Sequence, residues 1–187
     1  MTNFVAEQLD VTGLPGREAL LKSLERQTVS AHQVGTPLAV MVFDVDHFKD
    51  IKGSKGHGDE VLKHLAQVLR DAMPAAASLA HLDGDEFVAS LPATDIAVAA
   101  ALGETLRQTV ESAFAKSAEP LTVTIGVAVS PAGSGWTATS LLSLADSRMT
   151  FAKKRLSPNR NIVWAGALPS DWYVRLSVDA ATWPSQQ

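Results

Sequence analysis

The apolar positions of this 187-residue chain change period along its length, and those changes lay out its elements. Over residues 16–34, Ala19, Leu20, Leu24 and Gln27 follow helical spacing, and Gly35-Thr36-Pro37 closes the helix. Residues 38–45 form a continuous apolar run that leads into acids, LAVMVFDVD, the pattern of a strand buried on both faces. A Gly-rich loop over 53–58 leads to an amphipathic stretch, 59–73, with Val61, Leu62, Leu65, Leu69 and Met73 on one side and Pro74 as its stop. Two short strands, 78–82 and 86–91, flank Asp83-Gly84, a strong hairpin signal. Thr94 is placed to cap a helix that runs to Phe114. A strand over 121–129, a turn-rich loop over 131–135, a helix over 139–154 and a last short strand over 161–164 complete the pattern.

The order α-β-α-β-β-α-β-α-β, with one obvious hairpin, predicts an α/β chain of the α+β type. Its central sheet is mixed and mostly antiparallel and is flanked by helices, not doubly wound and parallel. The length suits one domain with a little to spare. The expected division is a domain over residues 1–164 and an aromatic tail over 165–187. Around that boundary lie Trp164, Trp172, Tyr173 and Trp183, three of the four Trp and the only Tyr. Rings of this kind cap a domain's own core or anchor a partner; capping is the expectation here.

Charge narrows the function. A net charge of −4 disfavours a general nucleic-acid surface, so any phosphate must be handled locally. The longest apolar runs, 38–43 and 96–102, are far too short to span a membrane, and the first ten residues lack the pattern of a secretory leader. The chain has no Cys, hence no thiolate metal site and no Cys nucleophile, which agrees with an expected cytoplasmic location. Its five His residues show no paired ligand spacing, and the 53–56 stretch is not a phosphate-binding P-loop.

Two acidic clusters remain. Asp44 and Asp46 end the buried run, on one side by period-2 alternation, with the Val45 carbonyl between them. Carboxylates with a carbonyl suit Mg²⁺ or Mn²⁺. Asp83, Asp85 and Glu86 lie at the hairpin tip. If the buried strand lies beside the hairpin, three or four carboxylates converge and repel one another unless cations offset them. A two-metal site for phosphoryl transfer needs such an arrangement. Acids at strand ends and Asp-Gly turns are also common on solvated loops, so spacing alone leaves both readings open.

The motifs together are more specific. Residues 43–51 (FDVDHFKDI) and 56–62 (GHGDEVL) resemble the start of a GGDEF domain, the diguanylate cyclase family, and 82–87 (LDGDEF) resembles its signature hairpin. Residues 12–17 (TGLPGR), 122–126 (TVTIG), Ala145-Asp146 and Ala152-Lys153 resemble its preamble, later strand and last helix, in the family's order. The resemblance implies a fold related to polymerase palm domains and adenylate cyclases. It also implies the condensation of two GTP, one on each of two domains, to cyclic di-GMP. In that reading Asp44 and the Val45 carbonyl bind Mg²⁺ or Mn²⁺. Asp85 and Glu86 also bind metal and help activate the attacking 3′-hydroxyl. Amides of His47, Phe48 and Lys49 hold phosphates, Lys153 contacts phosphate, and Asp59 accepts from guanine.

The departures are equally specific. Lys52 stands at the family's guanine-binding Asn and offers donors only. Gly53 replaces an Asp, and the loop before Asp59 is two residues short. Asp83 replaces the first signature Gly, His81 an Arg, and Thr150 a Tyr of the last helix. Arg155 and Arg160 are candidates for the phosphate Arg that follows Lys153. The RxxD product-inhibition site would fall on Pro74 and Ala77, so inhibition there is not expected. Two readings stay open: a homodimeric cyclase, or a degenerate domain that binds GTP or a protein partner without turnover.

Overall fold

The computed structural model describes residues 9–51, 56–117 and 119–172. The sheet is built around β1, Leu38–Val45, which is apolar on both sides because helices cover both. Strands β2 (Ser78–Asp83) and β3 (Glu86–Pro92) form the expected hairpin, and β4 is Val123–Ser130. A two-residue β5, Val163–Trp164, ends the sheet, in the order β2-β3-β1-β4-β5. The pairings of β1 with β3, β1 with β4 and β2 with β3 are antiparallel; β4 with β5 is parallel. The sheet is thus mixed and mostly antiparallel, as the pattern predicts.

Helices α1 (Arg17–Val34), α2 (His57–Ala72), α3 (Ile96–Phe114) and α4 (Ala138–Phe151) fall on two sides. Leu62, Leu65 and Leu69 of α2 and Leu106, Val110 and Phe114 of α3 pack on Met41, Phe43 and Phe87. Leu20 and Leu24 of α1 and Leu141, Leu142 and Met149 of α4 pack on Val40, Val42 and Val88. Alternation along β1 therefore carries Asp44 onto the α4 side. Gly126 of β4 lies under α4: a Cβ there would come within 2.0 Å of the Ala145 carbonyl oxygen, so only Gly permits this approach. That contact brings the α4 backbone down onto the end of the sheet where the acids lie.

Several boundaries differ from the sequence pattern. Helix α2 starts at His57, not at Asp59. Asp95, not Thr94, caps α3: its side chain accepts from the Val98 amide at 2.9 Å, while the Thr94 hydroxyl donates to the Pro92 carbonyl at 3.0 Å. Both residue types cap helices, so spacing does not separate neighbours. The α-form of α4 ends at Phe151 and continues as a π-helical turn, Ala152–Leu156. The last strand begins only at Val163, because Arg160 and Asn161 have left-handed backbone, φ +59° and +52°.

Beyond β5, Leu168 and Trp172 are buried against Phe151, with the Trp172 ring 5.3 Å away and edge-on at 76°. Tyr173 and Trp183 lie outside the described residues. Among the described residues no helix is long and apolar enough to cross a membrane.

Candidate active site at the end of the central strands

Register places the acids. Asp44 of β1 is directly opposite Glu86 of β3, so both side chains leave the same face. The Val45 amide donates to the Asp85 carbonyl at 3.1 Å and ties the hairpin tip to the end of β1. Lys153, on the π-helical turn, reaches down and donates to Asp44 Oδ1. Its side chain is 12% exposed and that of Asp44 15%, so this ion pair is largely shielded from water.

Electrostatics mark the cluster as over-supplied with negative charge. Burial raises the Asp44 carboxyl above its ordinary value; Lys153 opposes this, and Asp85 and Asp46 add to it. Glu86 is pushed up to about 7, by burial first and then by Asp146, Asp44 and Asp85, against the pull of Lys153. Asp146 of α4 is thus a fourth carboxylate beside Glu86, and it was absent from the residue set assigned from sequence. Its separation from Lys153, two helical turns, is the signal that puts both on one face of the last helix.

The second acid of the strand end is used differently. Asp46 is 5% exposed and accepts three hydrogen bonds, from the Thr122 hydroxyl at 2.8 Å, the Thr124 hydroxyl at 2.7 Å and the Asn161 amide at 2.8 Å. Both of its oxygens are engaged in holding the chain together. Asp83 is exposed at the tip.

The remaining assigned residues form a second group. His47 has left-handed backbone, φ +58°, and leads into the short 3₁₀ turn Phe48–Asp50, a succession of the type that makes an anion-binding nest. The Phe48 ring lies against Gly58, where a Cβ would be 3.3 Å away, so it couples this turn to the start of α2. Lys49 and Asp59 are exposed there, Asp59 in the first turn of α2. The adjacent His57 Nε2 lies 2.8 Å from Glu119 Oε2. Lys52 lies outside the described residues. Arg155 is exposed on the π-helical turn and Arg160 sits in the left-handed turn after it. Lys153 is the cation in contact with the acids.

The donor set fits a hard divalent cation: three carboxylates and the end of β1 gather with more negative charge than one ammonium offsets. Among the described residues, however, no three His, Asp or Glu side chains already close on a single point.

Comparison with known proteins points one way. A family model described as "Diguanylate cyclase, GGDEF domain" matches residues 9–158. The chain is 35% identical to diguanylate cyclase DgcP of Pseudomonas aeruginosa over 147 residues, 77% of this chain and 22% of that protein. It is similar to the GGDEF domain of DgcB from Caulobacter crescentus, solved in complex with c-di-GMP, with TM-score 0.75 and 28% identity, covering 88% of this chain and 98% of that one. It is also similar to diguanylate cyclase SiaD of Pseudomonas aeruginosa, solved with its activator SiaC, with TM-score 0.75 and 25% identity, covering 84% and 61%. The chain spans between about a fifth and about a third of the length of the curated relatives it matches.

Proposed function

This chain belongs to the GGDEF domain family, and from that premise we propose that it binds GTP with a divalent cation and, in a pair of facing copies, joins two GTP into cyclic di-GMP. The observation that carries the reading is the juxtaposition of Asp44, Glu86 and Lys153 across β1, β3 and the end of α4, with Asp85 tied to Val45. Each 3′-hydroxyl oxygen bonds to the α-phosphorus of the opposite nucleotide. The bond to the bridging oxygen breaks and pyrophosphate leaves.

Asp44, the Val45 carbonyl, Asp85 and Glu86 are the residues that would hold Mg²⁺ or Mn²⁺. Bound there, the ion would offset the triphosphate charge and polarise the reacting phosphoryl group. Glu86, held near neutrality in its proton affinity, is suited to take the proton of the 3′-hydroxyl with Asp85 beside it. Lys153 is placed to leave Asp44 for a phosphate oxygen once other positive charge enters. The His47–Lys49 turn would donate amides to the outer phosphates, and Asp59 would accept from the guanine edge. Lys52, at the position of the family's Asn, makes the base preference a matter for measurement.

One observation favours a second reading, a nucleotide-binding or partner-binding module without turnover: Lys52 stands at the guanine-binding Asn, Asp83 at the first signature Gly, and the loop before Asp59 is short. Incubation of the purified chain with GTP or ATP and Mg²⁺ or Mn²⁺ decides between them. Cyclic di-GMP that disappears in Asp85→Ala supports the enzyme. GTP binding without product supports the module.

A further inference from the structure

The signature turn is held from a direction that the acid cluster does not use. His81 of β2 is 8% exposed, on the α2 side of the sheet, its ring 4.7 Å from that of Phe87. Its Nδ1 faces Asp10 Oδ2, and its Nε2 lies 2.8 Å from the Gly84 carbonyl oxygen. Both ring nitrogens therefore face oxygens. A carbonyl only accepts, and so does an ionised carboxylate; a neutral imidazole has one N–H and satisfies one of them, while an imidazolium satisfies both.

Asp10 is ionised. Burial pushes its carboxyl up, but the Thr12 hydroxyl and amide and His81 outweigh burial and hold it below the ordinary carboxylate value. Thr12 donates to Asp10 Oδ1 from its amide at 2.9 Å and from its hydroxyl, leaving Oδ2 for the ring. The turn carrying Asp10 is itself fixed beside β2, since the His81 amide donates to the Pro15 carbonyl at 3.0 Å.

The contact falls where regular pairing fails. The β2–β3 register shifts between His81 and Asp83, and Gly84 has φ +51°. Gly84 and Asp85 form the turn between the paired Asp83 and Glu86, and the Gly84 carbonyl, which precedes Asp85, faces the His81 ring.

We propose that His81 is a positioning residue that, as an imidazolium, clamps the Gly84 carbonyl to Asp10 and so sets the turn from which Asp85 and Glu86 project. Its bearing on phosphoryl transfer rests on the function proposed above; the clamp itself does not. The contact is complete when the ring is charged and loses one of its two hydrogen bonds as pH rises through the ring's titration. Asp83 and Asp85 are the charged residues of its own hairpin, and on α2 the Arg70 guanidinium donates to the Gly13 carbonyl of the turn that carries Asp10, at 3.3 Å. Glu86, on the opposite face, has its carboxyl pushed up to about 7 and must be removed from the measurement.

The test is a titration of the full chain by NMR between about pH 5.5 and about pH 8.5, in a Glu86→Gln background and without nucleotide. The ring nitrogen shifts of His81 report its charge, and the amides of Gly84 and Asp85 report the turn. The expected result is that both amides move with the ring's midpoint. In Glu86→Gln/His81→Arg they should stay near their low-pH positions, and in Glu86→Gln/His81→Gln they should be displaced at every pH. The proposal is overturned if the turn amides are still while the ring titrates, or if they move equally in the Arg variant. Neither readout needs turnover, so an inactive chain still answers the question.

Discussion

Asp44, near the end of β1, and Asp46, just past it in the following turn, are two residues apart, yet they are set to opposite tasks. Asp46 is buried with three donors aimed at it, from Thr122, Thr124 and Asn161. Asp44 is half-buried with one ammonium, and Asp85 and Asp46 push against it. A carboxylate with both oxygens engaged by neutral donors is a structural joint, because removing it strands those donors. A carboxylate that shares one cation with several like charges is a site waiting for positive charge. Both positions carry a carboxyl group shielded from most of the solvent. The supply of donors separates them.

Substitution makes the contrast measurable. The largest expected effect is on the reactive side: Asp85→Ala lowers formation of cyclic di-GMP by about a thousandfold or more, with unfolding in urea changed by less than about 0.5 kcal/mol. A variant that keeps its activity would remove Asp85 from the proposed chemistry. On the structural side, Asp46→Ala leaves two hydroxyls and a backbone amide without their acceptor, for a loss of about 3–4 kcal/mol in urea unfolding. An unchanged midpoint would show that water replaces all three bonds.

Lys153→Met comes next. It leaves Asp44 without its partner in a shielded place, and about 2–3 kcal/mol of stability should be lost. Millimolar Mg²⁺ should restore part of it if the acids accept a cation. A loss that Mg²⁺ leaves untouched would argue that the cluster holds no cation site.

This contrast also separates what the sequence conveys from what it conceals. The run at Leu38–Val45 and the Asp83-Gly84 turn are local signals, and each encodes its element because alternation and turn chemistry act over a few residues. The opposition of Asp44 to Glu86 follows once those two strands pair. The occupation of Asp46 does not follow, since its partners lie more than 70 residues away and Thr122 and Thr124 read only as strand residues. Asp146 is legible in the sequence only as half of the Ala145-Asp146 motif; its place beside Glu86 depends on the close approach of α4 over Gly126. The π-helical turn that carries Lys153 leaves no local mark, because the extra residue is accommodated by packing and not by propensity.

The smallest effect tests the electrostatic half of the comparison most directly. Glu86 binds its proton more tightly in the folded chain, at about 7, than at the ordinary value of 4.5. Between those values the folded chain keeps a proton that the unfolded chain has released, so stability falls as pH rises through that window and levels off above it. The full shift would correspond to about 3 kcal/mol; with the site partly open to solvent, about 1–2 kcal/mol is expected. Glu86→Gln should remove this slope and make the chain more stable than the native one above pH of about 7. Mg²⁺ should act in the same direction on the native chain, since a cation favours the charged carboxylate and lowers its proton affinity. Urea unfolding at a series of pH values, with and without Mg²⁺, measures all three. A native chain whose stability is flat from pH of about 5 to about 8 would mean that Glu86 is charged without help. The excess of negative charge that distinguishes it and Asp44 from Asp46 would then be already balanced within the protein.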